Sequence, residues 1–481
     1  MQKLLNALKG ILDFAYSNVL SILMMILLIV VGIFITVKTR ALQFRKFGYA
    51  MKNTVGSLFD KSQHAKDKGS VSPFQAVTTA LAGTIGTGSI AGLATALVSG
   101  GPGAVFWMWI SALLGMVTKY AEIVLSIKYR EKSEDGSWLG GPMYYIKNGL
   151  NVKWLAIVFA IFAMIACIGT GNATQSNSIS GVVNQSFNVP TWVTGLILTI
   201  IVALVILGGI KRIASVNEKL VPAMAIFFVV AAILCLCFNI DKIPQAFALI
   251  FKEAFNFKAA FGGVAGYGIM TAMRFGVGRG VFTNEAGLGS APIAHSASST
   301  KDPVKQGLWG MFEVFATTIV ICTMSALVVL TSDIYLNGYN QTINGIKDAF
   351  TITGAPLSSK AFNEAIPYVG EIGIAVATVF FSLSTILGWA YYGEVCAGYI
   401  FKKHRKTAVL IYRIIYVAFV FIGAVADIGI VWTIADCFNV LMALPNLIAL
   451  VCLSKVVTSL TKEHFEKKRG LPDIEEKLEK N

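Results

Sequence analysis

Two glycine-rich stretches place backbone freedom and polar side chains inside segments that are otherwise apolar. The first, ALAGTIGTGSIAG at residues 80–92, carries Thr84 and Thr87 beside its glycines, and the second, MRFGVGRGVFTNEAGLGSAP at residues 273–292, carries charged side chains. Each glycine inside a helix costs about 1 kcal/mol relative to alanine, so both stretches are predicted to interrupt a helix. An interrupted helix exposes amide N–H groups and carbonyl oxygens, which suit the carboxylate of a zwitterion and a small cation. Tight helix packing is the alternative role for such glycines.

A third stretch, FFSLSTILGWAYYGE at residues 380–394, supplies adjacent hydroxyl groups. Ser382, Ser384 and Thr385 offer oxygen atoms, which are the ligands that a hard cation prefers. Trp389 follows Thr385 by about one helical turn, where its ring would form a bulky wall. The alternative is that these hydroxyls bond to the backbone of their own helix.

The composition indicates that lipid surrounds the segments that hold these residues. The chain has 481 residues, of which 55% are hydrophobic and 14% charged, and its mean hydropathy is +0.68. Crossing a bilayer takes roughly 20 apolar residues, and eleven segments approach or exceed that length. They are residues 16–37, 74–99, 103–127, 155–176, 191–207, 220–238, 261–290, 308–330, 369–400, 408–426 and 431–453.

The distribution of Lys and Arg orients these segments. The formal net charge is +14, but the positive side chains lie between apolar segments rather than on one soluble face, which argues against nucleic-acid binding. The connection at residues 38–73 is rich in Lys and Arg, whereas those at residues 177–190 and 427–430 contain neither. The positive-inside rule predicts a multi-pass protein of the cell (inner) membrane with its amino terminus outside and its carboxyl terminus in the cytoplasm.

The two interrupted segments occupy corresponding positions along the chain. When the first segment is set aside, they are the first and the sixth of ten, so each opens a group of five of opposite orientation. Inverted repeats with corresponding broken helices are typical of transporters that bind substrate near the bilayer midplane. The predicted parts are an amino-terminal helix with a basic cytoplasmic loop at residues 1–72, repeats at residues 73–240 and 241–455, and a charged cytoplasmic tail at residues 456–481.

Several motifs resemble those of one transporter family. GGPGAVFWMWISALLG at residues 100–115 and GVFTNEAGLGSAPIAHSAS at residues 280–298 are similar to hallmarks of the alanine or glycine:cation symporters, within the amino acid-polyamine-organocation superfamily. ALAGTIGTGSIAG and DCFNVLMALPN are also similar, and the resemblance covers nearly the whole chain. It implies an all-α integral membrane fold of about 11 transmembrane helices. These would form a leucine-transporter-like 5+5 inverted repeat with one extra amino-terminal helix and discontinuous first and sixth core helices.

The resemblance also implies a function and a set of site residues. The function is sodium-coupled symport of small neutral amino acids, alanine or glycine, by alternating access and without enzymatic activity. The implied substrate-binding residues are Gly83, Thr84, Gly86, Thr87, Gln175, Phe275, Gly276, Gly278, Phe282 and Trp389. The implied sodium-binding residues are Ala82, Ile85 and Phe381, through carbonyl oxygens, and Ser384 and Thr385, through hydroxyl groups. Ser89 and Thr283 depart from the family pattern, which more often has Asn and Ser there.

Sodium is expected to be a co-substrate, with no cofactor and no other metal. The expected partners are a small neutral amino acid, the sodium ion and membrane lipid around a monomer. Proton coupling stays open, because carboxylates inside membrane segments are functional candidates. They are Glu122, Glu285, Glu313, Glu394 and Asp436, and Glu285 is predicted to pair with Arg279 or Arg274.

Two other classes of function fit the sequence less well. TIGTG at residues 84–88 is similar to the selectivity filter of a cation channel, but such a filter needs four copies around one axis. An enzyme is disfavoured because no paired-carboxylate or nucleophile–base arrangement is present, and the four histidines are scattered.

Overall fold

The computed structural model describes residues 10–12, 14–56, 70–256, 268–344, 346, 349–426 and 429–467. Eight helical spans of the described residues are long and apolar enough to cross a membrane, where Lys153–Phe187 and Pro303–Leu330 each count as one span that continues through a π-helical turn, and a bent pair of helices brings the number to nine. A shorter apolar helix, Thr191–Ile206, accompanies them. The predicted all-α membrane architecture is therefore confirmed.

The described part of the first half contains eleven α-helices. They are α1 (Ser21–Lys38), α2 (Leu42–Arg45), α3 (Phe47–Asn53), α4 (Pro73–Thr84), α5 (Ala91–Gly100), α6 (Gly103–Tyr129), α7 (Pro142–Gly149), α8 (Lys153–Ile168), α9 (Thr174–Phe187), α10 (Thr191–Ile206) and α11 (Gly209–Phe238). The π-helical turns Tyr16–Leu20 and Gly169–Ala173 precede α1 and α9. A small antiparallel hairpin pairs β1 (Glu131–Lys132) with β2 (Trp138–Leu139).

The second half continues in the same way. Its helices are α12 (Ile243–Ala254), α13 (Ile269–Asn284), α14 (Ala291–Ser296), α15 (Pro303–Val314), α16 (Thr323–Leu330), α17 (Asp333–Ile343), α18 (Gly354–Ala365), α19 (Val369–Ile400), α20 (Arg405–Val425), α21 (Gly429–Cys452) and α22 (Ser454–Lys467). The π-helical turn Phe315–Cys322 joins α15 to α16. Each of the eleven predicted apolar segments contains a helix, although the start of the seventh, at residues 261–267, lies outside the described residues.

The first predicted break lies where the glycines indicated it. Helix α4 starts at a capping box of Ser72 and Gln75 and ends at Thr84. A single 3-10 turn at Thr87–Ser89 follows, and the two helical parts on either side of the break meet at 56°. The break lies so close to Thr385 that position 86 requires glycine, since a Cβ atom there would lie 2.6 Å from Thr385 Oγ1.

The second break lies further along the chain than predicted. Helix α13 is continuous through residues 275–280, and the chain unwinds only after Asn284. Glu285, Gly287 and Gly289 then have positive φ angles of 55°, 88° and 82°, which lie in the left-handed region. The helix resumes at Ala291. The break in this segment is therefore about ten residues after Phe275, and the glycines before it belong to an intact helix.

Packing brings the two broken segments together. Helix α6 lies against α13 and α15, while α19 lies against α4, α9 and α11. Helix α1, which precedes the repeats, packs on α6 and α21. The limits of the two predicted repeats stay a prediction, but their broken helices α4/α5 and α13/α14 are neighbours in space.

Candidate substrate and sodium site

Four oxygen atoms from α4 and α19 converge just before the first break. The hydroxyl of Thr385 donates to the carbonyl oxygens of Ala82, at 2.8 Å, and Phe381, at 2.9 Å. The hydroxyl of Ser384 donates to the same two oxygens, at 3.5 Å and 2.8 Å. All four residues are buried. These are four of the five residues that the family resemblance implied for sodium, and the fold brings them into one cluster.

The fifth, Ile85, lies at the break itself. It is buried, and its backbone angles, φ −86° and ψ 73°, are not helical. Its amide donates to the carbonyl of Leu81 at 2.7 Å, whereas its own carbonyl oxygen accepts no hydrogen bond from the described residues. That oxygen is a further potential ligand beside the cluster.

Main-chain donors at the first break are also left free. The amides of Gly86 and Gly88 donate to no atom of the described chain, and the buried hydroxyl of Thr87 has no hydrogen-bond partner among the same described residues. The amide of Thr87 donates to Gln175 Oε1 at 3.3 Å, which places Gln175 at the first break. Thr84 is buried there too, and its hydroxyl donates to the carbonyl of Leu81 at 3.1 Å. Since buried polar groups normally have partners, the first break has the properties of a ligand site.

An indole ring bounds this site on one side. Trp389 is only 2% exposed, and its Nε1–H donates to Glu285 Oε1 at 2.8 Å and more weakly to the carbonyl of Gly83 at 3.3 Å. Its ring packs against Gly171, where any side chain would overlap it. A Cβ atom on Gly83 would lie 2.8 Å from Tyr392 Oη. The space beside the first break is therefore narrow.

The second break is filled by side chains of the protein itself. Glu122 Oε1 accepts from the amide of Gly289 at 3.0 Å, and Asn446 donates both to that carboxylate and to the carbonyl of Gly287. The ammonium group of Lys119 donates to the carbonyl of Asn284 at 2.8 Å, at the carboxyl end of α13. The main-chain polar groups at the second break are thus largely hydrogen-bonded without a ligand, unlike those at the first.

The predicted pairing of Glu285 with Arg279 or Arg274 was wrong. Its carboxylate instead accepts hydrogen bonds from Ser290 and Trp389. The reason is the left-handed turn at Glu285 itself, which ends α13 and directs the side chain toward α4 and α19. The carboxylate therefore links the second break to the wall of the first.

Three residues predicted to touch substrate lie elsewhere. Phe275 and Gly276 pack on the start of α6 and the residues before it, where a Cβ atom on Gly276 would overlap the carbonyl of Ala104. Gly278 is exposed and faces a separate cavity. They do not reach the first break because α13 does not unwind at its glycines, and their contact with substrate stays a prediction. Phe282 does reach that break, with its ring 3.0 Å from the position of a Cβ atom on Gly88.

Sequence reasoning missed a buried ionic network beneath the second break. Lys119 lies 2.9 Å from Glu313 Oε1, and His295 Nε2 lies 3.1 Å from Glu313 Oε2. Gln306 contacts the other nitrogen of His295 at 2.9 Å. The signal that could have revealed the network is the position of Lys119 within the apolar run of α6, since a charge there needs a buried partner.

Comparison with known proteins gives the family. The profile of the sodium:alanine symporter family matches residues 5–477. The chain belongs to this family. This symporter is therefore a transporter rather than an enzyme. It is 45% identical over 447 residues to the sodium/alanine symporter AgcS of Methanococcus maripaludis, covering 92% of this chain and 94% of that protein. It is 37% identical over 474 residues to the probable sodium/glutamine symporter GlnT of Bacillus subtilis, covering 98% of this chain and 93% of that protein.

A solved structure supports the fold of the symporter independently. The crystal structure of MhsT in complex with L-phenylalanine matches with a TM-score of 0.54 at 12% identity, covering 80% of this chain and 97% of that one. MhsT is a transporter of the leucine-transporter fold. The predicted leucine-transporter-like fold of the symporter is confirmed.

The two residues that depart from the family pattern keep polar groups in the symporter. Ser89 is fully buried in the 3-10 turn of the first break. The hydroxyl of Thr283 donates to the carbonyl of Arg279 at 2.8 Å, within α13. Thr283 Oγ1 also lies 3.2 Å from the position of a Cβ atom on Gly88, so both residues are close to the first break.

Proposed function

We propose that this symporter imports small neutral amino acids, alanine and glycine, together with sodium. The observation that carries the proposal is the set of free main-chain groups at the first break, beside a cluster of neutral oxygens. The amides of Gly86 and Gly88 suit the carboxylate of the amino acid, since backbone donors at a helix start favour an anion. The name of the relative AgcS, a sodium/alanine symporter, agrees with this choice.

Sodium is the proposed coupling ion because its ligands would all be neutral oxygens. Ala82, Ile85 and Phe381 would contribute carbonyl oxygens, and Ser384 and Thr385 hydroxyl oxygens. The four side-chain and main-chain oxygens already in contact include no carboxylate. A proton would need a titratable acceptor, so this cluster favours a metal cation over a proton.

The narrow walls support a small substrate. Trp389 is buried against Gly171, and Gly83 has no room for a side chain. Glutamine, which the name of the relative GlnT includes, would need to displace one of these walls. One methylene is worth only about 1 to 3 kcal/mol in a pocket, so we propose a preference for alanine and glycine rather than strict exclusion of serine.

We further propose that the protein lies in the cell (inner) membrane, with the amino terminus outside and the carboxyl terminus in the cytoplasm. The alternation of basic connections supports this orientation. Transport would proceed by alternating access, in which α4/α5 and α13/α14 move against the remaining helices around the first break. The protein would act as a monomer surrounded by lipid.

Competition binding tests the proposed substrate and ion together. Purified protein is incubated with labelled alanine and unlabelled glycine, serine, D-alanine, glutamine or phenylalanine, each with sodium and with choline in its place. We expect alanine and glycine to compete best and binding to require sodium. Equal binding in choline, or stronger competition by glutamine than by glycine, would contradict the proposal.

A further inference from the structure

A second cavity lies apart from the oxygen cluster, between the amino-terminal helix, α13 and α21. The space is about 690 Å³ when the open solvent at its mouth is counted, and about 80 Å³ of it can hold the centre of a water molecule. Tyr16 lines it from the π-helical turn before α1, and Arg274, Gly278 and Arg279 line it from α13. Asp436 lines it from α21. The exposure of Gly278 places one wall in contact with the surroundings of the protein.

Two guanidinium groups face this cavity without an ion-pair partner within 4 Å among the described residues, and the carboxylate of Asp436 interacts with Arg279 only at longer range. Neither Arg274 nor Arg279 forms a side-chain ion pair or hydrogen bond with any residue that the structure describes. Their contacts are aromatic: each guanidinium carbon lies 5.6 Å from a ring centre, that of Phe275 for Arg274 and that of Phe282 for Arg279. Each guanidinium carries five N–H donors, and unpaired charges in a membrane segment are costly. The pair is therefore suited to an anionic group.

The opposite wall presents acceptors. Asp436 and Asn439 are three residues apart on α21, so they lie on the same side of the helix. Asn439 is only 6% exposed, and its Oδ1 atom has no hydrogen-bond partner within the described chain. Its amide nitrogen is occupied, since it donates to Thr170 Oγ1 at 2.9 Å. A carboxylate and an orphaned amide oxygen together suit an ammonium group.

The floor of this cavity separates it from the first break. Phe282 lines the cavity, and its ring stacks on Trp432 with ring centres 6.3 Å apart. On its other side the same ring lies against Gly88. The aliphatic part of Arg279 lies 3.9 Å from the position of a Cβ atom on Gly92. One aromatic side chain thus stands between the charged cavity and the free amides.

We infer that this cavity is a separate binding site for the zwitterionic amino acid before it passes Phe282. Arg274 and Arg279 bind the carboxylate, and Asp436 and Asn439 bind the ammonium group. The inference rests on the proposed function, because it takes the transported amino acid as the occupant. The amino-terminal helix, which stands outside the two repeats, completes the site through Tyr16.

Site-directed labelling tests this second site. Cys237 and Cys452, the two exposed cysteines, are first replaced by serine. Gly278→Cys then reports on the cavity, because a Cβ atom there has open space. Gly268→Cys is the matched control, since it has equal space at the start of the same helix and does not line the cavity. The rate of modification by a charged thiol reagent is measured with and without alanine.

Two conditions separate this cavity from the first break. In choline buffer the sodium-dependent first site is empty, and in Gly86→Leu it is blocked by a side chain against Thr385. Under both conditions we expect alanine, at about four times its dissociation constant for this cavity, to slow modification of Gly278→Cys by about fivefold, because roughly four fifths of the sites are then occupied. Gly268→Cys should not respond. Arg279→Gln should abolish the protection, and propionate, which lacks the ammonium group, should protect much less than alanine.

Several outcomes would overturn the inference. They are protection that disappears in choline and in Gly86→Leu, protection that survives Arg279→Gln, and equal protection by propionate, which would indicate a plain anion site. Choline needs no substitution, so it gives a result even where Gly86→Leu does not fold. Uptake of alanine by the unsubstituted protein is measured separately. Intact sodium-driven uptake without protection would sink the inference alone, whereas absence of uptake would sink the proposed function.

Discussion

The hydroxyl of Thr385 lies 2.8 Å from the carbonyl oxygen of Ala82, across the contact between α19 and α4. The same hydroxyl is 2.9 Å from the carbonyl of Phe381 on its own helix. A single hydroxyl hydrogen is therefore shared between two acceptors, while the oxygen keeps lone pairs for a third partner. A cation at this point would bind all three oxygens at once and would tie α4 to α19 at the last turn before the break.

Removing the hydroxyl of Thr385 should weaken the binding of sodium specifically. Thr385→Val keeps the shape of the side chain but removes one ligand. We expect the sodium concentration for half-maximal uptake to rise by about tenfold, equivalent to about 1.4 kcal/mol. Thr385→Ser, which keeps the hydroxyl, is the control and should stay within about threefold of the unsubstituted protein. An unchanged sodium dependence in Thr385→Val would place the ion elsewhere.

The contact between Gly171 and Trp389 predicts that alanine substitutions at two glycines of one span have different effects on transport. A methyl group on Gly171 would overlap the indole ring of Trp389, whereas one on Gly181, further along the same span, would meet nothing within 4 Å. Gly171→Ala should displace the ring and reduce alanine uptake by at least about tenfold, since misplacement of a binding wall is costly. Gly181→Ala should transport normally. Comparable uptake by the two variants would show that the ring does not bound the substrate.

The first break was predictable from local sequence, and the second was not. Residues 80–92 combine four glycines with short side chains, so the position of this break followed from the local sequence. The contact of Ser384 and Thr385 with the carbonyl of Ala82 was implied by the family resemblance and not by spacing. In α13, by contrast, Gly276 and Gly280 pack on α6. Small residues serve close packing as well as unwinding, and only the tertiary neighbours decide between the two.

The buried ionic network was beyond local reasoning for a related reason. Lys119 and Glu313 are distant in the chain, and their pairing depends on how α6 lies against α15. The sequence marked the intramembrane carboxylates as functional candidates, and the partner predicted for Glu285 was a neighbour in sequence. Trp389, which is 104 positions away, takes that place because a left-handed turn redirects the carboxylate.

The ion pair of Lys119 and Glu313 should be important for stability. Both side chains are fully buried, and breaking a buried pair costs about 3–5 kcal/mol because one charge is left without a partner. Lys119→Met should lower the melting temperature in detergent strongly, and Lys119→Met combined with Glu313→Gln should recover part of the loss. Lys128→Met, on an exposed position of the same helix, is the control. A Lys119→Met protein as stable as this control would contradict the prediction.

Asp302 should stabilise the start of α15 through its charge. Burial raises the pKa of this carboxyl, but the hydrogen bonds from His464 and from the amides of Val304 and Lys305 outweigh burial and hold the pKa below 3.8. A lowered folded-state pKa contributes stability that is present above pH 3.8 and lost as the pH falls through the folded-state value.

Substitution of Asp302 tests this cap. Asp302→Ala removes both the helix cap and the contact with His464. It should lower the free energy of unfolding by about 1 kcal/mol between pH 5 and 8. Asp302→Asn keeps an acceptor for the two amides, so its free energy of unfolding should fall by less. Thermal unfolding in detergent at several pH values gives the comparison. The stability difference between Asp302→Ala and the unsubstituted protein should shrink as the pH falls below 3.8. A difference that grew instead would contradict the prediction.

Uptake of labelled alanine into proteoliposomes under an imposed sodium gradient tests the central claim, that sodium at the first break drives the amino acid across the membrane. A membrane potential of 100 mV supplies about 2.3 kcal/mol per charge, and a tenfold sodium gradient about 1.4 kcal/mol more. Together they support accumulation up to roughly 500-fold for one sodium per alanine. We expect accumulation that follows the direction of the sodium gradient and collapses when the gradient is removed. Accumulation that ignored sodium and followed a proton gradient instead would contradict the account.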